Sequence, residues 1–357
     1  MAFNLYKGHY KNLMLIVVAL WIVFLFVTFV YPGLTAGIDL KGGTMYIIRT
    51  DKPMDSTVLQ KTLLDNFPLE DLEVATISSP SGHGATIQYA NNKILATATG
   101  YIAEAKSLVT TDPAQAKVLA RQTFDYLKQS GYFAGEYPAD NVAPEVWVQE
   151  ADIAVSSSEQ NFETQMISKI KTTFGLTSAP YQKREIGATL GKQFWDSAID
   201  VAITVLILIT VIVFLFFREI VPSIAIISSA AFDILCALAF MAIFKIPLSL
   251  STIPALLMLV GYSVDTDILL TTRILKRKDK NERERTMDAF WTGITMTGTA
   301  IAAVSSMLVI SYFAQMILIQ EIATVLLFGM IGDILGTWLM NAAILLWYAE
   351  SKKKRSG

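Results

Sequence analysis

Apolar residues gather into two blocks, one over residues 13–30 and one over 199–346, and the stretch between them is mostly polar. Six apolar runs stand out within the blocks: 12–31, 199–217, 221–244, 252–271, 293–312 and 322–348. Each approaches or exceeds the ~20 residues that cross a ~30 Å hydrocarbon core. The last is long enough to tilt. Arg218-Glu219 ahead of Pro222 separates the second run from the third, and Lys245-Ile246-Pro247 the third from the fourth. The pattern predicts a polytopic α-helical membrane protein with six transmembrane helices and one large domain between the first two.

That domain has its own periodicity. Residues 43–50 (GTMYIIRT) have strand composition after a glycine turn. Residues 55–67 show helical spacing at Val58, Leu59, Leu63 and Leu64, with Asp55 or Ser56 as the cap. Residues 72–78 and 85–89 read as strands joined by Ser79-Pro80-Ser81-Gly82-His83-Gly84. Residues 92–130 are rich in Ala and Lys and helical, with a break near Asp112-Pro113. Residues 146–155 (VWVQEADIAV) read as a strand, 160–174 as a helix, and 181–190 as a strand returning to the membrane. The order suits an extracytoplasmic α+β domain, a ferredoxin-like sandwich with a helical insertion at about 92–140. The expected organisation is therefore residues 1–31 as N-terminal segment and first span, 32–197 as this domain, 198–348 as a five-helix bundle and 349–357 as a basic tail.

Composition agrees with a membrane chain: of 357 residues, 53% are hydrophobic and 17% charged. Charge sets the expected orientation. Lys7 and Lys11 precede the first span, residues 273–285 hold seven basic residues against three acidic, and the tail carries Lys352-Lys353-Lys354-Arg355. These segments fall on one side of a six-span chain. Both termini are thus expected in the cytoplasm, with the protein in the cytoplasmic membrane. The outer domain has 14 Lys and Arg against 19 Asp and Glu, so nothing in it predicts a nucleic-acid partner. Cys236 is the only cysteine, and His9 and His83 are the only histidines, far apart in sequence. An internal disulfide is excluded, and neither a His-based metal site nor a His-based catalytic triad is expected. No catalytic residue, cofactor or metal is expected, nor an enzymatic activity. The first span reads as an uncleaved signal anchor, because Tyr31-Pro32-Gly33 follows it rather than a small-x-small site.

Four aspartates interrupt the spans: Asp233 in the third, Asp265 and Asp267 in the fourth, Asp333 in the sixth. An ionised aspartate at mid-bilayer costs ~2.5–3.5 kcal/mol on insertion scales, so such residues face a bundle interior or a wet path. Asp265 and Asp267 lie about 200° apart around a helix. They cannot share a neighbour: one is expected to face this chain's bundle, the other a partner or a cavity. Two readings stay open, proton or ion coupling and interhelical hydrogen bonding. Asp265 is expected to matter more, because it lies nearer Gly261, where close packing is anticipated. Gly332 and Gly336 form a G-x-x-x-G pair that permits close helix approach.

Several motifs occur together, in order and at matching topological places. Gly37-Ile38-Asp39-Leu40-Lys41-Gly42-Gly43 follows the first span. Gly261-Tyr262-Ser263 opens the fourth, Arg273 lies near its cytoplasmic end, Asp233 sits in the third, and Gly336-Thr337 in the last. In these features the chain resembles the SecF family of protein-export membrane proteins, of the resistance-nodulation-division superfamily. The sister SecD shares the plan, and Leu40 leans towards it, but Gly261-Tyr262-Ser263 and the short outer region lean towards SecF. Val264-Asp265-Thr266-Asp267 looks like the archaeal branch, which implies a Sec system without the SecA motor. The resemblance implies SecD, the Sec translocon channel, unfolded exported protein and the lipid membrane as partners. It also has departures. Bacterial SecF proteins read Asn-Asp-Thr where this chain has Asp265-Thr266-Asp267, and they carry an arginine where it has Trp291-Thr292-Gly293. The bacterial proton path therefore does not transfer residue by residue.

Three functions compete: an export subunit acting with SecD, a small-molecule or lipid efflux protein acting as an oligomer, and an intramembrane aspartyl protease. The efflux type generally carries two six-span halves in one chain. The protease requires Gly-x-Gly-Asp and Tyr-Asp, whereas the nearest match here is Met330-Ile331-Gly332-Asp333 and no Tyr-Asp occurs.

Overall fold

The structure is a computed structural model that describes Tyr6 and residues 10–79, 82–277 and 280–356. Lys7, His9, the Pro80-Ser81 tip of the predicted turn and Lys278 lie outside the described residues. The chain forms two compact units, Met1–Leu40 with Leu190–Gly357, and Lys41–Thr189.

The first unit is helical. Its helices are α1 (Lys11–Phe29), the one-turn α2 (Ile38–Lys41), α7 (Ala188–Phe217), α8 (Ile220–Phe244), α9 (Thr252–Leu275), α10 (Glu282–Ala314), α11 (Ile317–Leu335) and α12 (Ala342–Ser356). A π turn, Gly336–Asn341, joins α11 to α12, so the sixth apolar run is one continuous rod. Six stretches of the described residues are long and apolar enough to cross a membrane. They differ in enclosure: 61% of the apolar window in α8 is buried, against 6% in α7. This places α8 at the centre of the bundle. Its buried residues are mostly small, among them Ser223, Ala225, Ser229, Ala230, Cys236, Ala237 and Ala239. Small side chains let neighbouring backbones approach, and dispersion contacts then replace the hydrophobic effect that lipid does not supply. Gly332 and Gly336 of the last span meet this face: an added Cβ would lie 2.8 Å from Cys236 Cβ at Gly332 and 2.9 Å from Asp233 Oδ1 at Gly336.

The second unit is α+β. A four-stranded antiparallel sheet has the order β3 (Glu73–Ser79), β4 (Gly82–Tyr89), β1 (Gly43–Thr50), β6 (Tyr181–Ile186). The main elements run strand, helix α3 (Ser56–Asn66), strand, strand, helix α6 (Pro144–Phe174), strand, which is the ferredoxin-like order. Asp55 caps α3, accepting from Thr57 N at 2.8 Å and Val58 N at 3.1 Å. Two short strands, β2 (Leu69–Glu70) and β5 (Asn91–Asn92), pair beside the sheet. Helices α4 (Lys93–Leu108) and α5 (Pro113–Gln129) lie between β5 and α6. Asp112 caps α5 through Gln115 N, and Pro113 occupies its first turn. Tyr46, Ile48, Ile87 and Tyr89 of the sheet, Leu59 and Leu63 of α3, and Phe162 and Met166 of α6 share one core. Gly43 has φ +139°, and an added Cβ would stand 2.5 Å from Tyr89 O, so only glycine opens β1 this way.

One expected element is wrong. Residues 146–155 are not a strand; they belong to the 31-residue helix α6. Its buried residues Trp147, Val148, Ala151, Ala154, Val155, Ser158 and Phe162 recur every three or four positions. The alternation inside VWVQEADIAV is a short-window coincidence, and Pro144 at the first turn is the helix start that was missed. The last strand also ends at Ile186, where α7 begins two residues later.

Candidate functional site

Three of the four span aspartates meet inside the first unit. Asp233 of α8, Asp267 of α9 and Asp333 of α11 are each fully buried. Ser263 Oγ donates to Asp233 Oδ2. Thr337 Oγ1 lies 2.8 Å from Asp267 Oδ1 and 3.1 Å from Asp333 Oδ1. Asn341 Nδ2 donates to Asp267 Oδ1 at 2.7 Å. One oxygen of each carboxyl (Asp233 Oδ1, Asp267 Oδ2, Asp333 Oδ2) has no hydrogen-bond partner among the described residues. No Lys, Arg or His occurs in α8, α11 or the π turn.

Proton counting constrains this cluster. A threonine hydroxyl has one hydrogen to donate. Thr337 can give it to Asp267 or to Asp333, not to both. The second contact is a hydrogen bond only when that carboxyl itself holds a proton and donates it to the hydroxyl. With a protonated Asp333 donating to Oγ1 and Oγ1 donating to an ionised Asp267, the one hydroxyl bridges both carboxyls.

The π turn aims the donors. Asp333, Thr337 and Asn341 are spaced by four. In an α-helix eight residues overshoot two full turns by about 80°. The wider turn takes back part of that rotation, bringing Asn341 onto the carboxylate that Thr337 already touches. Such turns recur at functional positions.

Asp265 does not join the cluster. It is exposed on the surface of α9, with Met258 and Gly261 on the same side. Of the pair, Asp267 and not Asp265 holds the buried contacts. Gly261 marks no close packing, since an added Cβ would meet nothing within 4 Å. The reading that the two carboxyls face different surroundings matches their placement. Tyr262 packs beside Leu259, Val325 and Leu326. Arg273 donates to Asp288 O of α10 at 3.0 Å.

The glycine-aspartate motif after α1 has a structural use. Gly37 N donates to Leu248 O at 2.7 Å, Leu248 N to Thr35 O at 2.8 Å, and Leu250 N to Asp39 Oδ2 at 3.3 Å. Asp39 is buried. The motif ties the exit of α1 to the entry of α9. Gly42 and Gly43 lead into β1, in the second unit.

Sequence reasoning noted Gly336-Thr337 but missed Thr337 and Asn341 as partners of Asp267. The available signal was a hydroxyl and an amide in an apolar run, four and eight residues beyond Asp333.

The family described as "Protein export membrane protein SecD/SecF, C-terminal" matches residues 165–351. Curated proteins named protein-export membrane protein SecF are similar to the chain. That of Methanolacinia petrolearia is 45% identical over 170 residues, 48% of this chain and 60% of the relative. That of Methanothermobacter thermautotrophicus is 42% identical over 192 residues, 53% of this chain and 67% of the relative. The matches thus span roughly six-tenths to two-thirds of those relatives and about half of this chain. The crystal structure of SecDF, a translocon-associated membrane protein from Thermus thermophilus, superposes with a TM-score of 0.64 at 14% identity, over 98% of this chain and 39% of that one. At that identity the likeness speaks for the fold.

Proposed function

The chain belongs to the SecD/SecF family of protein-export membrane proteins, and we propose that it serves as a SecF-type accessory subunit, acting with SecD to promote protein translocation across the cytoplasmic membrane and coupled to protonation of the Asp233–Asp267–Asp333 cluster. The SecF relatives support the subunit role. The observation that carries the coupling is Thr337, one hydroxyl within hydrogen-bond distance of carboxyls on two helices. A change of protonation there makes or loosens the contact that ties α9 to the last span, and so links a proton to helix movement. No nucleotide-binding loop is present in the sequence, so the energy input is assigned to a gradient or a partner.

SecD is assigned as the partner that covers the outward carboxyl of Asp265, because a carboxylate in a span requires a donor or a wet path. The Sec channel and unfolded exported protein complete the assembly. Both termini are placed in the cytoplasm, from the Lys and Arg asymmetry.

Affinity purification of the tagged chain from its native membranes tests the reading. SecD in equal amount, with the Sec channel, is the expected eluate. An oligomer of this chain alone, with export unchanged on its deletion, would sink the proposal and favour efflux.

A further inference from the structure

The π turn that serves Asp267 is held from outside the bundle's spans. Tyr6, wholly buried, donates its hydroxyl to the carbonyl oxygen of Trp338 at 2.9 Å. Trp338 sits between Thr337 and Asn341, the two residues that donate to Asp267 Oδ1. Its indole is fixed as well. The ring lies over Gly293 of α10, where an added Cβ would come within 2.1 Å of it, and it meets Phe290 edge-on at 5.3 Å. Tyr6 and Tyr10 share a packed cluster with Leu270 and Ile274 of α9, Met287 of α10, and Ala342 and Leu346 of α12. Tyr10 OH also donates to Glu350 Oε2 at 2.9 Å, while Arg283 Nε holds Glu350 Oε1 at 3.0 Å.

We infer that Tyr6 is a positioning residue for the acidic cluster: its hydroxyl fixes the π turn through the Trp338 carbonyl and so sets the aim of Thr337 and Asn341 at Asp267. The physical basis is the turn itself. A π turn is a strained variant of the helix that needs its surroundings to hold it. A donor on one of its carbonyls favours the wide form over a regular turn, in which Asn341 would rotate away from Asp267. Tyr10 anchors the same N-terminal stretch but touches Glu350 rather than the turn, so the two tyrosines have separable roles. The functional meaning of this link rests on the coupling role proposed above for Asp267; the positioning itself does not.

The test is the rate at which dicyclohexylcarbodiimide, which modifies protonated carboxyls in apolar surroundings, labels each aspartate in the intact chain, read by peptide mass spectrometry. Tyr6→Phe removes only the hydroxyl. It is expected to raise labelling of Asp267 about 2–10-fold, the population change that one neutral hydrogen bond supports. Asp265 is the internal reference and should label at the wild-type rate. Tyr10→Phe should leave Asp267 unchanged, and Asn341→Ala should raise it at least as much as Tyr6→Phe. As a second measurement, amide exchange over residues 338–343 is expected to quicken in Tyr6→Phe and not in Tyr10→Phe. Wild-type labelling of Asp267 in Tyr6→Phe overturns the inference, and so does an equal rise at Asp265, which would report general loosening. If Tyr6→Phe alters labelling while Asp267→Asn exports normally, the positioning stands and the coupling reading fails.

Discussion

Asn341 and Asp267 stand 74 positions apart in the chain, yet the Asn341 amide meets the Asp267 carboxylate at 2.7 Å in a fully buried site. The contact joins the last span to the fourth. It makes Asp267, rather than Asp265, the carboxyl on which the bundle converges.

Asp267→Asn is accordingly expected to abolish stimulation of export while leaving assembly intact, since Asn keeps the shape but cannot ionise. Asp265→Asn is expected to have the smaller effect on export. Asp267→Leu should also lower the yield of folded protein, because Thr337 and Asn341 would be left with buried unsatisfied groups, at about 1–3 kcal/mol each. Export rate and complex yield for the three variants decide this. Normal export from Asp267→Asn removes the coupling role.

Gly332→Val should destabilise the bundle. Its Cβ would stand 2.8 Å from Cys236 Cβ and 3.0 Å from Cys236 Sγ. Overpacking of this kind costs about 1–3 kcal/mol. Cys236→Gly should recover part of the loss, whereas Cys236→Ala should recover little because it retains the clashing Cβ. Thermal midpoints in detergent for the single and double variants measure the recovery, and additive losses would show that the two positions do not couple.

Orientation is open to cysteine labelling in a Cys236→Ala background. Gln129→Cys, on the exposed side of α5, should react with an impermeant maleimide in intact cells. Arg277→Cys, beyond the end of α9, should react only after the membrane is opened. The opposite pattern reverses the assigned topology.

Glu159 of α6 gives a pH signature to the second unit. Burial, reinforced by the nearby Glu185 carboxylate, holds its carboxyl above the usual glutamate range, although Lys183 opposes this. The folded state therefore binds the proton more tightly than the unfolded chain does. The cost of ionising Glu159 is absent at pH below about 4.5 and grows as pH rises through the raised folded value. Glu159→Gln is expected to slow amide exchange in α6 relative to wild type at pH 7 and to leave it unchanged at pH 4, after correction for intrinsic exchange. A stabilisation equal at both pH values would mean that the gain is not electrostatic.

The legible part of the fold was the part where one environment imposes one period. Residues 43–50 alternate against a core and pair as β1, and residues 55–67 bury Leu59 and Leu63 on one helical face. The helix over 146–174 was misread at its start because a ten-residue window of valine and alanine fits either period; burial against α4 and α5 decided it.

The sequence by itself determined that six apolar runs are long enough to cross a membrane, that a ferredoxin-like domain lies between the first two, and that four aspartates fall within those runs. It also determined that two carboxyls separated by two residues point to different surroundings. Tertiary structure alone decided which of them faces inward. In a water-soluble helix the polar side announces the solvent, but α9 carries a carboxyl on each side: Asp267 turns to the bundle with Ser263, Thr266 and Thr271, and Asp265 turns away from it, so the presence of a carboxyl does not mark the side. The three inward carboxyls come from α8, α9 and α11, and the donors to Asp267 come from a π turn whose Trp338 packs over Gly293 and accepts from the hydroxyl of Tyr6. That arrangement is a cooperative property of several helices, which no single segment encodes.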